Sequence, residues 1–224
     1  MSKKTLSIRM SGLGGQGAVT AAHIIGSAAV IDGKNATVNP FFGAEKRLAP
    51  AESYVRISDE VIYDTGEILY PDIIMVFHPD VILSGKSYTM PFFAGLQQNG
   101  TIIVNSDFPF AFTEDEQAEL DALNAKVYFL QATLLAREIG GTDLATNIAM
   151  IGALVGVTKV VSMDAVEEAL KERFGGAAKF VASATTAVLD DAIKAKYAKA
   201  EKLIEANMKV LTAVSAQAES LVAA

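Results

Sequence analysis

Gly12-Leu13-Gly14-Gly15-Gln16-Gly17 is a stretch whose residue types and spacing together specify chemistry. In a Gly-x-Gly-x-x-Gly turn one glycine permits the sharp bend. Another lets a phosphate approach the backbone, and the last lets the following helix sit close to the sheet. A helix beginning near Ala18 then aims its free amides and positive dipole end into the turn. Gln16 and Thr20 offer further side-chain donors. Two readings stand, a binding loop for an anionic group such as a nucleotide pyrophosphate and a purely structural tight turn. An apolar strand before the turn and an alanine-rich helix after it favour the first.

A dinucleotide site also needs a carboxylate at the end of the second strand, to hold the ribose hydroxyls. Here that strand ends Val38-Asn39-Pro40-Phe41-Phe42, and Asp32 falls in the turn before it. NAD is therefore disfavoured. The segment after the strand is cationic instead, with Lys46 and Arg47, and a cationic pair suits a terminal phosphate. A solvated loop partly neutralised by Glu45 is the competing reading.

Other chemistry-bearing residues read more plainly. His78-Pro79-Asp80 comes after a strand at its carboxyl end, where α/β sites gather, but a turn that caps the strand is the favoured reading. His23 lies inside the first helix as a packed or surface residue. Asp107, Glu114, Asp115 and Glu116 suit a solvated helix start better than paired catalytic carboxylates. Arg56 reads as a structural or interface ion pair. No serine–histidine–aspartate motif occurs, so no residue is assigned a catalytic role.

The elements that position these groups are set by periodicity. Thr5 to Met10, Ala36 to Phe42, Asp72 to Phe77, Thr101 to Asn105 and Ala125 to Leu130 read as strands. Glu52 to Ile57 and Val61 to Asp64 read as a short hairpin around Ser58-Asp59-Glu60. Helices are expected over Ala18–Ile31, Phe92–Gln98, Ala132–Ile139, Asp143–Val157 and Asp164–Phe174, the last entered through Ser162 or Asp164. Val181 to Ala224 has no glycine or proline and reads as one long helix or two. The fold class is α/β: a doubly wound, mostly parallel sheet with a glycine-rich first turn, a helical second half and a long C-terminal helix. The domain reading is an α/β unit over 1–180 and a helical extension over 181–224.

Composition narrows the partners. Nineteen Lys and Arg against 26 Asp and Glu leave a net charge of -7, which disfavours a nucleic-acid partner. The absence of cysteine excludes thiol nucleophiles and cysteine-ligated zinc or iron–sulfur clusters, and two histidines cannot build a histidine-rich metal site. No apolar run reaches membrane-spanning length, and the N-terminal apolar stretch, broken by Arg9, is a first strand rather than a signal peptide. A cytoplasmic protein is expected.

The Gly12–Gly17 loop with Thr20-Ala21-Ala22, then Phe42-Gly43-Ala44-Glu45-Lys46-Arg47, Val55-Arg56-Ile57-Ser58 and Asn147-Ile148-Ala149-Met150-Ile151-Gly152-Ala153-Leu154, resembles the gamma subunit of the 2-oxoacid:ferredoxin oxidoreductases. The resemblance runs from about residue 5 to about residue 175 and omits the C-terminal helix. It implies one subunit of a hetero-oligomeric, pyruvate synthase-like enzyme that oxidatively decarboxylates a 2-oxoacid and passes electrons to ferredoxin or another acceptor. Partner subunits would hold thiamine diphosphate, Mg and the iron–sulfur clusters, and this chain has no Gly-Asp-Gly metal motif for the former. By the same resemblance Gly12 to Gly17 would face the pyrophosphate of coenzyme A, and Lys46 with Arg47 its phosphorylated ribose. The sequence departs from the family at Leu48-Ala49-Pro50, where many members carry an arginine and a glycine pair. The rival reading is a stand-alone, homo-oligomeric nucleotide-binding regulator or dehydrogenase-like protein.

Overall fold

Side-chain alternation in the first strand, β1 (Thr5–Leu13), decides the layers: Ile8 and Met10 join the main apolar core, while Arg9 and Ser11 are buried on the opposite face. The computed structural model describes residues 5–42, 49–175 and 187–223. The remaining strands are β2 (Asn35–Phe42), β3 (Pro50–Ser58), β4 (Ile73–Val76), β5 (Thr101–Asn105) and β6 (Lys126–Leu130). Helices in the described residues are α1 (Ala18–Ile31), α2 (Asp80–Leu83), α3 (Glu114–Ala122), α4 (Ala132–Gly140), α5 (Thr146–Thr158), α6 (Met163–Phe174) and α7 (Ala187–Ala223). The six strands form one sheet in the order β2-β3-β1-β4-β5-β6. The expected α/β architecture, helical second half and long terminal helix are all present.

The parallel half of the expectation holds for β1, β4, β5 and β6, each parallel to its neighbour. The other half is mixed. β3 inserts between β1 and β2 and runs antiparallel to both, so the β1–α1–β2 crossover spans a strand rather than joining neighbours. This also removes the expected hairpin. With both edges of β3 occupied, Val61 to Asp64 has no strand to pair with, and it runs as irregular chain. Phe92 to Gln98 likewise forms turns rather than a helix. Gly95 has φ +79, and a Cβ there would lie 1.9 Å from the Leu69 carbonyl oxygen.

Small residues bring the helices onto the sheet. Ala18, Ala21, Ala22, Ala28 and Ala29 of α1 are buried, and a Cβ on Gly26 would meet Val38 at 2.5 Å. α5 is buried from Thr146 through Gly156, because α7 lies against it through Val210, Leu211, Val214 and Ala218. A Cβ on Gly152 would come within 2.6 Å of Leu211 O, and one on Gly156 within 2.4 Å of Ser215 O. The opposite sheet face is covered near β4–β6 by α2, α3 and a cluster that includes Phe92, Phe93, Phe110, Phe112 and Phe129. The α3 start is closed reciprocally: Thr113 Oγ1 accepts from the Glu116 amide, and Glu116 accepts from the Thr113 amide.

Over β1 and β3 the same face is polar. Arg9, 1% exposed, donates from Nη2 to the carbonyls of Phe92 (2.8 Å) and Ala94 (2.9 Å). Buried Glu52 accepts from Tyr54 Oη (2.7 Å), Ser87 Oγ (3.0 Å) and Thr89 Oγ1 (3.4 Å). Desolvation holds the Arg9 guanidinium below its ordinary pKa against the opposing pull of Glu52. Desolvation, and then Glu52, push the Tyr54 phenol well above its own. Among the described residues Arg56 donates to the Gly66 and Glu67 carbonyls at 2.9 and 2.8 Å.

Candidate functional site

The carboxyl ends of β1, β4, β5 and β6 open into a cleft of about 800 Å3, lined by Gly15, Gln16, Gly17, Thr20, His78, Asn105, Thr133, Arg137, Thr146 and Asn147 among others. The glycine turn forms one wall. Its fold is fixed by internal bonds: the Leu13 amide donates to Gln16 Oε1 (2.9 Å), the Gln16 amide to Leu13 O (3.2 Å), and the Gly14 amide to Ala49 O (2.9 Å). Ala49, just before β3, thereby ties that strand to the loop. Gln16 thus spends its carbonyl oxygen holding the turn.

Three of the four glycines meet a distinct steric or backbone requirement. Gly12 lets Phe77 approach, since a Cβ there would sit 3.1 Å from Phe77 Cβ. Gly15 and Gly17 adopt φ +99 and +80, where L side chains are strained. Space above Gly15 is open to 4 Å, whereas a Cβ on Gly17 would meet Asn147 at 2.9 Å. α1 begins at Gly17 with no side-chain cap and no acidic residue in its first turn. Among the described residues the Gly15 and Gly17 amides make no hydrogen bond. These two glycines and Thr20, in the first turn of α1, border the cleft.

Asn105 builds the floor. Its Nδ2 donates to Phe77 O and Thr133 Oγ1, both at 2.9 Å, and its Oδ1 accepts from the Thr133 amide (3.1 Å). The Thr133 and Thr146 hydroxyls lie 3.2 Å apart, and Thr146 Oγ1 donates on to Asp143 O (2.7 Å). At the rim Arg137 holds Asp143 in a two-pronged pair, Nε–Oδ1 2.7 Å and Nη2–Oδ2 2.9 Å. Arg137 keeps the Asp143 carboxyl below the ordinary carboxylate range. The pairing is therefore complete above that range and is lost as pH falls through the lowered pKa. The Asp143 carboxyl signal, followed by NMR, is expected to titrate below the ordinary range and to return to it in Arg137→Gln.

His78 lines the cleft while serving its turn, Nδ1 accepting from the Asp80 amide at 3.1 Å. His23 is exposed on α1, away from the cleft. Both oxygens of Asp32 are occupied by Ser162, from the amide (2.7 Å) and Oγ (2.6 Å), so Asp32 helps fix the α6 start instead of facing a ribose. Lys46 and Arg47 lie outside the described residues. Arg137, Asn105, Thr133, Thr146 and Asn147 escape the sequence reading. A polar Thr146-Asn147 pair opening an otherwise apolar helix is the signal that points to the last two. Among the described residues no group of three or more His, Asp or Glu is placed to hold a metal, and no helix is long and apolar enough to cross a membrane.

Comparisons with known proteins agree with this arrangement. The "pyruvate/ketoisovalerate oxidoreductases common subunit gamma" of Thermococcus litoralis is 39% identical over 172 residues, covering 76% of this chain and 88% of the relative. The pyruvate synthase subunit PorC of Methanothermobacter marburgensis is 37% identical over 171 residues, with the same coverage of 76% and 88%. The crystal structure of pyruvate oxidoreductase subunit PORC from Thermotoga maritima superposes with a TM-score of 0.69 at 25% identity, over 96% of this chain and 97% of that one. A like fold occurs in the 2-oxoglutarate:ferredoxin oxidoreductase from Magnetococcus marinus, solved with 2-oxoglutarate, coenzyme A and succinyl-CoA (TM-score 0.61, 22% identity, 92% of this chain and 32% of that one). Residues 7–189, from within β1 to the start of α7, match the family described as pyruvate ferredoxin/flavodoxin oxidoreductase. The glycine turn, the α5 motif and the sheet between them thus have one common origin: the chain belongs to the pyruvate ferredoxin/flavodoxin oxidoreductase family.

Proposed function

We propose that this chain is the gamma subunit of a cytoplasmic, multi-subunit 2-oxoacid:ferredoxin oxidoreductase, and that its cleft forms one wall of a coenzyme A site. The observation that carries the site is the uncapped start of α1 behind the Gly12–Gly17 turn, opening on a polar cleft, while β2 ends without a carboxylate. In this reading Gly15, Gly17 and the first turn of α1 bind the pyrophosphate. Gly12, Leu13, Gly14 and Gln16 hold the turn's shape, while Asn147 and Thr20 border it. Lys46 and Arg47 bind the phosphorylated ribose; two residues lie between Lys46 and Ala49, so their Cα atoms are about 11 Å apart at most. Ala49 is bonded to the loop through Gly14.

Thiamine diphosphate in a partner subunit supplies the carbanion chemistry of decarboxylation, and clusters in partner subunits carry the electrons. This chain, without cysteine, holds and orients the acyl acceptor. The reading divides it into an α/β body over 1–180 and a helical extension over 181–224. Lys46→Ala in the assembled enzyme is expected to weaken coenzyme A about tenfold, the worth of one charge-assisted contact, while subunit stoichiometry stays intact. Unchanged affinity, measured by calorimetric titration, removes Lys46 from the site.

A further inference from the structure

We propose that the irregular loop 59–70 is the surface by which this chain docks onto a partner subunit of the complex, through a partner face of apolar groups rimmed by Lys and Arg. The inference rests on the gamma-subunit reading above.

The loop has no regular secondary structure, yet it exposes large apolar groups: Val61 64%, Tyr63 88%, Leu69 61% and Tyr70 67%. Irregular surface loops with such exposure need a reason, because apolar surface left in water is unfavourable. This loop is held from below. Arg56 grips the carbonyls of Gly66 and Glu67, Tyr54 Oη shares its one proton between Glu52 (2.7 Å) and Glu67 Oε1 (3.3 Å), Ile68 is 3% exposed, and the Gln97 amide donates to Pro71 O (2.9 Å). The half of the loop that carries Leu69 and Tyr70 is therefore anchored before any partner arrives, which lowers the ordering loss on binding. Tyrosine is the residue type that carries interface energy most often.

Charge selects the occupant. Residues 59–70 include no Lys or Arg, but they include Asp59, Glu60, Asp64 and Glu67. In a two-fold contact a second copy would bring the same negative surface to this one, which repels. A cationic partner surface complements it. None of residues 59–70 lines the cleft, so docking and ligand binding use separate surfaces.

The test is co-expression of the full set of subunits with a tagged chain carrying Tyr63→Ser with Tyr70→Ser, or Asp59→Lys with Asp64→Lys. Neither pair touches Arg56, Tyr54 or Ile68, and circular dichroism of each tagged chain checks its fold. Both pairs are expected to lower retention of the partner subunits at least tenfold, and rising salt is expected to release them from the wild type. Should the tyrosine pair unfold the chain, the charge pair decides. Wild-type retention in the charge pair overturns the proposal, and so does a wild-type homodimer that either pair disperses. If the wild type itself retains no partner subunit, the gamma-subunit reading fails first, and this inference with it.

Discussion

Gly156→Ala is expected to lower the thermal midpoint and loosen α7, even though alanine is the better helix former. In an isolated helix the change gains about 1 kcal/mol. In this fold the new Cβ would sit 2.4 Å from Ser215 O and 2.7 Å from Ala218 Cβ. One obstacle is backbone, so α7 as a whole must shift, and overpacking of this kind costs about 1–3 kcal/mol or more. The packing loss outweighs the propensity gain. Gly156→Val carries two further methyl groups and is expected to lose more, several kcal/mol in all. At about 2–4 °C per kcal/mol for a chain of this size, the valine variant should melt about 10 °C lower. Limited proteolysis is the second readout, with cleavage within α7 appearing in the variants before cleavage elsewhere. A raised midpoint in Gly156→Ala would show that α5 and α7 do not approach as described.

The second large effect comes from the buried polar layer. Arg9→Ala leaves the Phe92 and Ala94 carbonyls without their donor, and the fully buried Glu52 carboxylate without its neighbouring cation. Removing one member of a buried charged set costs about 3–5 kcal/mol, because the charge left behind keeps its desolvation penalty. Arg9→Met with Glu52→Gln removes both charges and keeps much of the volume. This double variant is expected to be more stable than Arg9→Ala and less damaged than the two single changes summed. Urea denaturation of the wild type, Arg9→Ala, Arg9→Met, Glu52→Gln and the double variant checks the order. Strict additivity would mean that Arg9 and Glu52 do not interact.

These two positions also mark what could and could not be read from the chain. The strand–turn–helix around Gly12 was legible because three glycines, an apolar strand and an alanine run agree at every level. The central strands and the helices α4 to α6 were legible for the same reason. The place of β3 was not. Its alternation is equally suited to a hairpin with Val61–Asp64, and only the long-range pairing with β1 and β2 decides against it. Arg9 on the first strand read as an interruption of an apolar run, whereas the structure makes it the centre of a buried network that fixes the 92–94 turn. The Gly12–Gly17 wall of the cleft came from local spacing. The opposite wall, with Asn105, Thr133 and Arg137, comes from elements far apart in sequence that carry no motif of their own. Asn147 is intermediate: its polarity at the start of an apolar helix is visible, but its packing against Gly17 is a tertiary fact.

Native purification shows whether this chain works inside a complex. Drawn from its own cells under anaerobic conditions through a tag on this chain, it is expected to elute with larger subunits in fixed stoichiometry. The pool should be brown from iron–sulfur clusters that a chain without cysteine cannot ligate through thiolates. Elution alone, colourless and stable at its own mass, would contradict the account.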